Sequence, residues 1–188
     1  MKSSYLIAAL ATLSAAPATA QVVAGPRVEA MVGFDSVRFN LDELGDLSRD
    51  GVLFGIGAGY DFGAGPVAMG VDVEASDSTT DLSADDGTNS AQLSMGRDLY
   101  AGVRLTGAVS PSFNLYGKLG YTNARVKASA TLDGDTEAAA GNLDGIRGGL
   151  GGQFMLAGAS YVGAEYRYSN YEADVSRHQV AAVLGFRF

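Results

Sequence analysis

The sequence predicts an all-β fold: an eight-stranded antiparallel up-and-down β-barrel that crosses a membrane. Three observations lead there. Eight segments spread over residues 21–188 alternate apolar and polar side chains with a period of two, so each kind of residue occupies one face of a strand. The connections between these segments differ in length, and most are alternately short and long. Beyond residue 20 no apolar run is long enough for a membrane helix, which takes about 20 residues. A chain that spans lipid without helices must close its strands into a ring, because every backbone N–H and C=O has to be paired within the protein.

The first segment, Arg27 to Val37, sets Val28, Ala30, Val32 and Phe34 against Arg27, Glu29, Gly33 and Asp35. The second, Gly51 to Phe62, has the cleanest period: Val52, Phe54, Ile56, Ala58, Tyr60 and Phe62 alternate with Leu53, Gly55, Gly57, Gly59 and Asp61. In the third, Pro66 to Ser76, Val67, Met69, Val71 and Val73 oppose Gly70, Asp72 and Glu74. The fourth, Ser94 to Ala108, turns Leu99, Val103 and Leu105 one way and Asp98, Tyr100 and Arg104 the other. The fifth starts at Phe113, with Leu115, Leu119 and Tyr121 opposite Asn114, Tyr116 and Lys118; Ala128 to Thr131 could extend it above the membrane, which leaves a ten-strand count open. The sixth, Asp144 to Phe154, is rich in glycine and carries Arg147 and Gln153 on its polar face. The seventh, Ser160 to Ser169, places Glu165 and Arg167 inward. The eighth is His178 to Phe188, where Val180, Ala182, Leu184, Phe186 and Phe188 share one face.

Short connections at 63–65, 109–112 and 155–159 carry Gly, Pro or Ser, the residues of tight turns. Long ones are expected at 38–50, 77–93, 128–143 and, shorter, 170–177. The sidedness of the period decides what surrounds the barrel. A soluble barrel turns its apolar face inward. Here the polar face combines Arg and Lys with Asp, Glu and Gly, while the apolar face carries aromatics near strand ends, such as Phe62, Phe113, Tyr121, Phe154, Tyr168 and Phe186. A charged interior with aromatic girdles outside fits lipid.

Lys2, the apolar stretch from Tyr5 to Ala16 and the Ala18-Thr19-Ala20 cleavage pattern mark residues 1–20 as an export signal, so the barrel domain is expected to be 21–188. Without Lys2 the exported chain has 12 Lys and Arg against 21 Asp and Glu, a charge of −9 that argues against nucleic-acid binding. It has no cysteine, which removes disulfides, thiolate catalysis and thiolate metal sites.

The inward faces collect six cations, Arg27, Arg104, Lys118, Arg147, Arg167 and Arg187, and six anions, Glu29, Asp61, Asp72, Glu74, Asp98 and Glu165. Equal numbers suit a salt-bridged plug, since an unpaired charge in a narrow barrel is costly. The other reading is a narrow ion path lined by both signs. An eight-strand interior is just wide enough for its own side chains, which favours the plug. Inward glycines, including Gly59, Gly70, Gly102, Gly151 and Gly185, supply no volume and would leave water pockets, which favours the path.

The long connections hold 14 of the 21 acidic residues, with Asp35 counted among them. Asp85-Asp86-Gly87-Thr88-Asn89 and Asp133-Gly134-Asp135-Thr136-Glu137 lack the ligand spacing of a calcium loop, so a solvated acidic face is expected and no metal or cofactor. His178, the only histidine, has Ser176 and Glu172 or Asp174 near it in sequence, but the spacing matches no hydrolase or acyltransferase pattern, and no enzyme is expected.

The terminal run Val180, Ala182, Leu184, Phe186 and Phe188 resembles the carboxy-terminal signal that the assembly machinery of bacterial outer membranes reads. With Asp144-Gly145-Ile146-Arg147-Gly148-Gly149-Leu150-Gly151-Gly152-Gln153-Phe154, Ala164-Glu165-Tyr166-Arg167-Tyr168 and Gly185-Phe186-Arg187-Phe188, the whole exported chain resembles the small outer-membrane β-barrels of proteobacteria, which include the OmpA-type membrane domain and the opacity-like porin-family surface proteins. It departs from them in having no tryptophan, which leaves Tyr and Phe to anchor the barrel at the interfaces. The resemblance implies a monomer in the outer membrane, in contact with its lipid and lipopolysaccharide, with both termini periplasmic and acidic loops extracellular. It implies a structural or surface role; a narrow porin-like channel and, further off, a lipid-A-modifying enzyme are the alternatives.

Overall fold

The computed structural model describes residues 21–41, 45–63, 65–85, 89–132, 135–156 and 159–188. The predicted export signal, 1–20, lies outside them. The described residues form β1 (Gly25–Leu41), β2 (Gly45–Phe62), β3 (Val67–Ser78), β4 (Asp81–Asp85), β5 (Ser90–Ser110), β6 (Phe113–Leu132), β7 (Asp135–Met155), β8 (Ser160–Tyr171) and β9 (Val175–Arg187). Their order is β3-β2-β1-β9-β8-β7-β6-β5-β4, and pairing of β3 with β5 closes the ring. Every neighbouring pair is antiparallel. β4 follows β3 after a break at Thr79-Thr80 and pairs with β5, so the nine strands make eight staves.

Each stave alternates as its sequence requires. In β3 the burial pattern is strictly periodic from Val67 to Ser76, with Gly70, Asp72 and Glu74 inside and Val67, Met69, Val71 and Val73 outside. Phe34, Ile56 and Leu150 are 77%, 66% and 70% exposed on the outer face, a surface that only lipid can cover. Aromatic pairs ring the end that holds Gly25 and Phe188, the terminal end: Tyr60 with Phe62, Phe113 with Phe154 and Phe186 with Phe188, at centroid separations of 4.7, 4.5 and 5.0 Å.

The connections differ from expectation. The segments predicted as long loops are largely strand: β1 continues to Leu41, β2 starts at Gly45, and the β5–β6–β7 ladder runs well past the lipid-facing belt. The extension of the fifth stave through Ala128 to Thr131 is part of β6, and it adds length without adding staves. Above the belt water bathes both faces, so no apolar alternation marks these residues as strand, and pairing with a neighbour decides their conformation. A membrane stave needs only about 9–11 residues, whereas β5, β6 and β7 have 21, 20 and 21. A bulge between Met95 and Asp98 marks the passage from belt to extension in β5.

At the terminal end the connections are tight. Gly63 and Gly65 in the β2–β3 turn take φ of +132° and +101°, which a residue with a Cβ rarely adopts.

Candidate functional site: the charged lumen

Period-two alternation on eight staves brings all twelve predicted lumen charges into the interior, and every one of them is buried. At the terminal end Arg187 of β9 pairs with Asp61 of β2, which lies 3.5 Å from Arg27 of β1. Arg27 pairs with Asp72 of β3 and is 3.9 Å from Glu29. Glu29 accepts hydrogen bonds from Arg104 of β5 at 2.8 Å and from Tyr161 of β8 at 2.7 Å. Midway, Lys118 of β6 bridges Glu74, Glu165 at 3.3 Å and Asp72 at 3.5 Å. Arg167 pairs with Glu165 and sits 3.2 Å from Glu74, so Lys118, Glu74, Arg167 and Glu165 form a closed ring of alternating sign.

Toward the hairpin end Arg147 of β7 pairs with Asp98 of β5 and is 3.9 Å from Glu74. Asp98 also accepts from Arg177 at 3.0 Å, Tyr171 at 2.7 Å and Thr122 at 2.6 Å. Arg177 reaches on to Asp35 with two bonds of 2.6 and 2.7 Å, and Thr80 and Gln179 donate to the same carboxylate at 2.8 and 3.2 Å. The ion pairs thus run unbroken from Arg187 to Asp35, and positive and negative groups stay equal in number. A buried charge is tolerable only when paired and further hydrogen-bonded, and each link here meets at least the first condition.

Two members of this chain, Asp35 and Arg177, are not among the twelve. Asp35, counted with the loop acids in the sequence, is 1% exposed inside β1, and Arg177, expected in a connection, is fully buried in β9. Parity could have found both. Asp35 is in phase with Arg27 and Glu29, and Arg177 is in phase with Gln179 and Arg187. Asp35 already stands on the polar face of the first segment and differs only in being buried in the lumen and not in a loop, whereas Arg177 lies one residue before the eighth segment, whose apolar period starts only at the belt.

The inward glycines do not leave the expected pockets at the positions where tyrosines lie. A Cβ built on Gly102, Gly151 or Gly185 would overlap the side chain of Tyr100, Tyr116 or Tyr161 respectively, and one on Gly59 or Gly70 would overlap Arg27 or Asp61. The missing side chains are the space into which long ones fold. Tyr116 then donates to Glu165 at 2.8 Å while the Arg104 guanidinium stacks 3.6 Å above its ring. Apolar groups close the interior at both ends: Val37, Met95, Ala124, Tyr171 and Val175 at the hairpin end, and Val22, Ala68 and Ala108 at the terminal end.

The remaining predicted residues face outward. Val180, Ala182, Leu184, Phe186 and Phe188 line the lipid side of the last stave. His178 is on the same face, its Nδ1 2.7 Å from the Tyr166 hydroxyl and its ring 4.9 Å from that of Tyr168, which makes it part of an interfacial aromatic cluster. The two acidic stretches weighed as cation loops include residues 86–88 and 133–134, which lie outside the described residues.

Among curated proteins none matches this chain. Solved structures do. Ail, the attachment invasion locus protein of Yersinia pestis, crystallised with the heparin analogue sucrose octasulfate, superposes with a TM-score of 0.58 at 19% identity, over 87% of this chain and 99% of that one. Neisserial surface protein A gives 0.57 at 18%, over 89% and 99%. The N-terminal β-barrel domain of Pseudomonas aeruginosa OprF gives 0.51 at 13%, over 88% and 100%. At these identities the likeness is one of fold. The family model described as outer membrane protein beta-barrel domain matches residues 6–188, nearly the whole chain, and the chain accordingly belongs to that family of outer-membrane β-barrel proteins.

Proposed function

We propose that the barrel is a non-conducting structural and surface protein whose lumen charges act as a permanent plug. It is made with a signal that is removed after Ala20, and it sits with both termini in the periplasm and its long hairpins outside the cell. The observation that carries this reading is the uninterrupted line of ion pairs from Arg187 to Asp35, packed against tyrosines that occupy the glycine spaces. A water path would have to separate several of these pairs at once, each at a cost of a few kcal/mol.

The same reading names the partners. The last stave is offered to the assembly machinery, and the monomer contacts lipid along its apolar belt. On the outer face just above the belt, Arg97, Arg125 and Lys127 are exposed on adjacent β5 and β6, and they are suited to the phosphates of lipopolysaccharide better than the acidic hairpins are. No catalytic role is assigned to His178, whose hydrogen-bond partner is a tyrosine hydroxyl and not an acid.

Single-channel conductance of the refolded protein in a planar bilayer tests the plug. The expected result is a silent bilayer from protein that is folded by heat-modifiable migration. Discrete, reproducible openings would replace this reading with the narrow porin.

A further inference from the structure

We propose that residues 21–24, the first of the exported chain, are a strap that shuts the terminal-end mouth of the barrel and shields the Arg187–Asp61 pair from water. Five observations converge. Val22 is only 4% exposed although it precedes the first strand, and it packs on Ala68 of β3 and Ala108 of β5, the inward residues nearest that mouth. Its N–H donates to the Gly65 carbonyl in the β2–β3 turn at 2.9 Å. The next carbonyl, of Val23, accepts from Arg187 of β9 at 2.7 Å. In the ring order, β9 and β5 are four staves apart of eight, so this short segment ties opposite walls together across the opening. Gly25, with φ of +127°, makes the turn from strap into β1 directly beneath the Phe188 carbonyl, where a Cβ would lie 2.7 Å from that oxygen.

The consequence is chemical. Arg187 and Asp61 are at the rim, within a few residues of the aqueous phase, yet are 2% and 0% exposed. The strap supplies both a lid and, through the Val23 carbonyl, an acceptor for one guanidinium nitrogen. Val22 is the apolar plug of that lid, while its neighbours Gln21, Val23 and Ala24 are exposed. Among the described residues the segment is held by one side chain and two hydrogen bonds, few enough for the mouth to open locally without the barrel unfolding. The strap closes one mouth only, and its test reads access at that mouth, so it can fail while the ion-pair plug deeper in the lumen stands.

The chain has no cysteine, so a single introduced one reports uniquely. Ala108→Cys protein, refolded in detergent micelles where both ends are open to solvent, is treated with a bulky, membrane-impermeant maleimide. With the strap intact the thiol should be protected. Adding Val22→Asp should raise the labelling rate roughly tenfold or more, because an unpaired carboxylate is not buried willingly, while Val22→Leu should keep protection. Heat-modifiable migration must stay that of folded barrel in all three, and Ala68→Cys serves as the reporter if Ala108→Cys does not fold. Rapid labelling with Val22 in place would mean that the mouth is open, and equally slow labelling with Val22→Asp would mean that something else closes it; either result overturns the strap.

Discussion

The staves of this barrel pass through two environments, and the two stretches of the same strands are built on opposite terms. Within the belt each stave has one apolar and one charged face, and the charged face is locked by ion pairs, tyrosines and glycines that fit one another. In the extension, β7 from Asp135 to Asn142 is exposed at every residue, and Ala138-Ala139-Ala140-Gly141 offers side chains too small to lock anything. On its other edge β7 meets β8 only from Gly145 onward. Order in the belt comes from side chains meeting across a closed ring, whereas order in the extension comes from backbone pairing with β6 alone for these residues. Substitutions should therefore be costly in one stretch and nearly free in the other.

The largest effect is expected at Asp98, where β5, β6, β7, β8 and β9 meet through one carboxylate. Asp98→Asn leaves Arg147 and Arg177 short of a negative partner and should cost about 3–5 kcal/mol in urea titrations of the folded barrel in vesicles. A loss below about 1 kcal/mol would mean that water already solvates this end, since a hydrogen bond between neutral groups contributes only about that much. Next comes Gly185→Ala, which puts a methyl into the space of the Tyr161 ring and should cost about 1–3 kcal/mol as overpacking; the same titration, read beside loss of the Tyr161–Glu29 hydrogen bond, checks it. The smallest is Ala139→Ser in the extension, exposed and without a locked neighbour, which should shift stability by less than about 0.5 kcal/mol. If Ala139→Ser rivals Gly185→Ala, the two stretches are not built differently.

The faces of every stave were legible because lipid and a narrow lumen impose opposite demands on alternate residues. Asp72 and Glu74 among valines, or Glu165 and Arg167 among tyrosines, admit one orientation each. What was not legible was who pairs with whom. Arg27 is 45 residues from Asp72 and Arg177 is 142 from Asp35, separations that no local pattern records. The role of the glycines was also misread, since an absent side chain signals a pocket or a tyrosine's seat equally well until the facing stave is known. Strand length failed for a third reason: above the belt the two faces share one solvent, and the period carries no information.

An apolar outer belt, a charge-balanced interior and a terminal strand with its aromatics toward lipid were determined by the sequence alone, because each follows from alternation and composition, while the choice of eight staves over ten was left to the structure. The addition of Asp35 and Arg177 to the charge chain, the seating of tyrosines over glycines and the passage of Val22 across the mouth were decided only by the tertiary structure. Most of these contacts join segments far apart in the chain, and in each the fit is set by the geometry of the closed barrel.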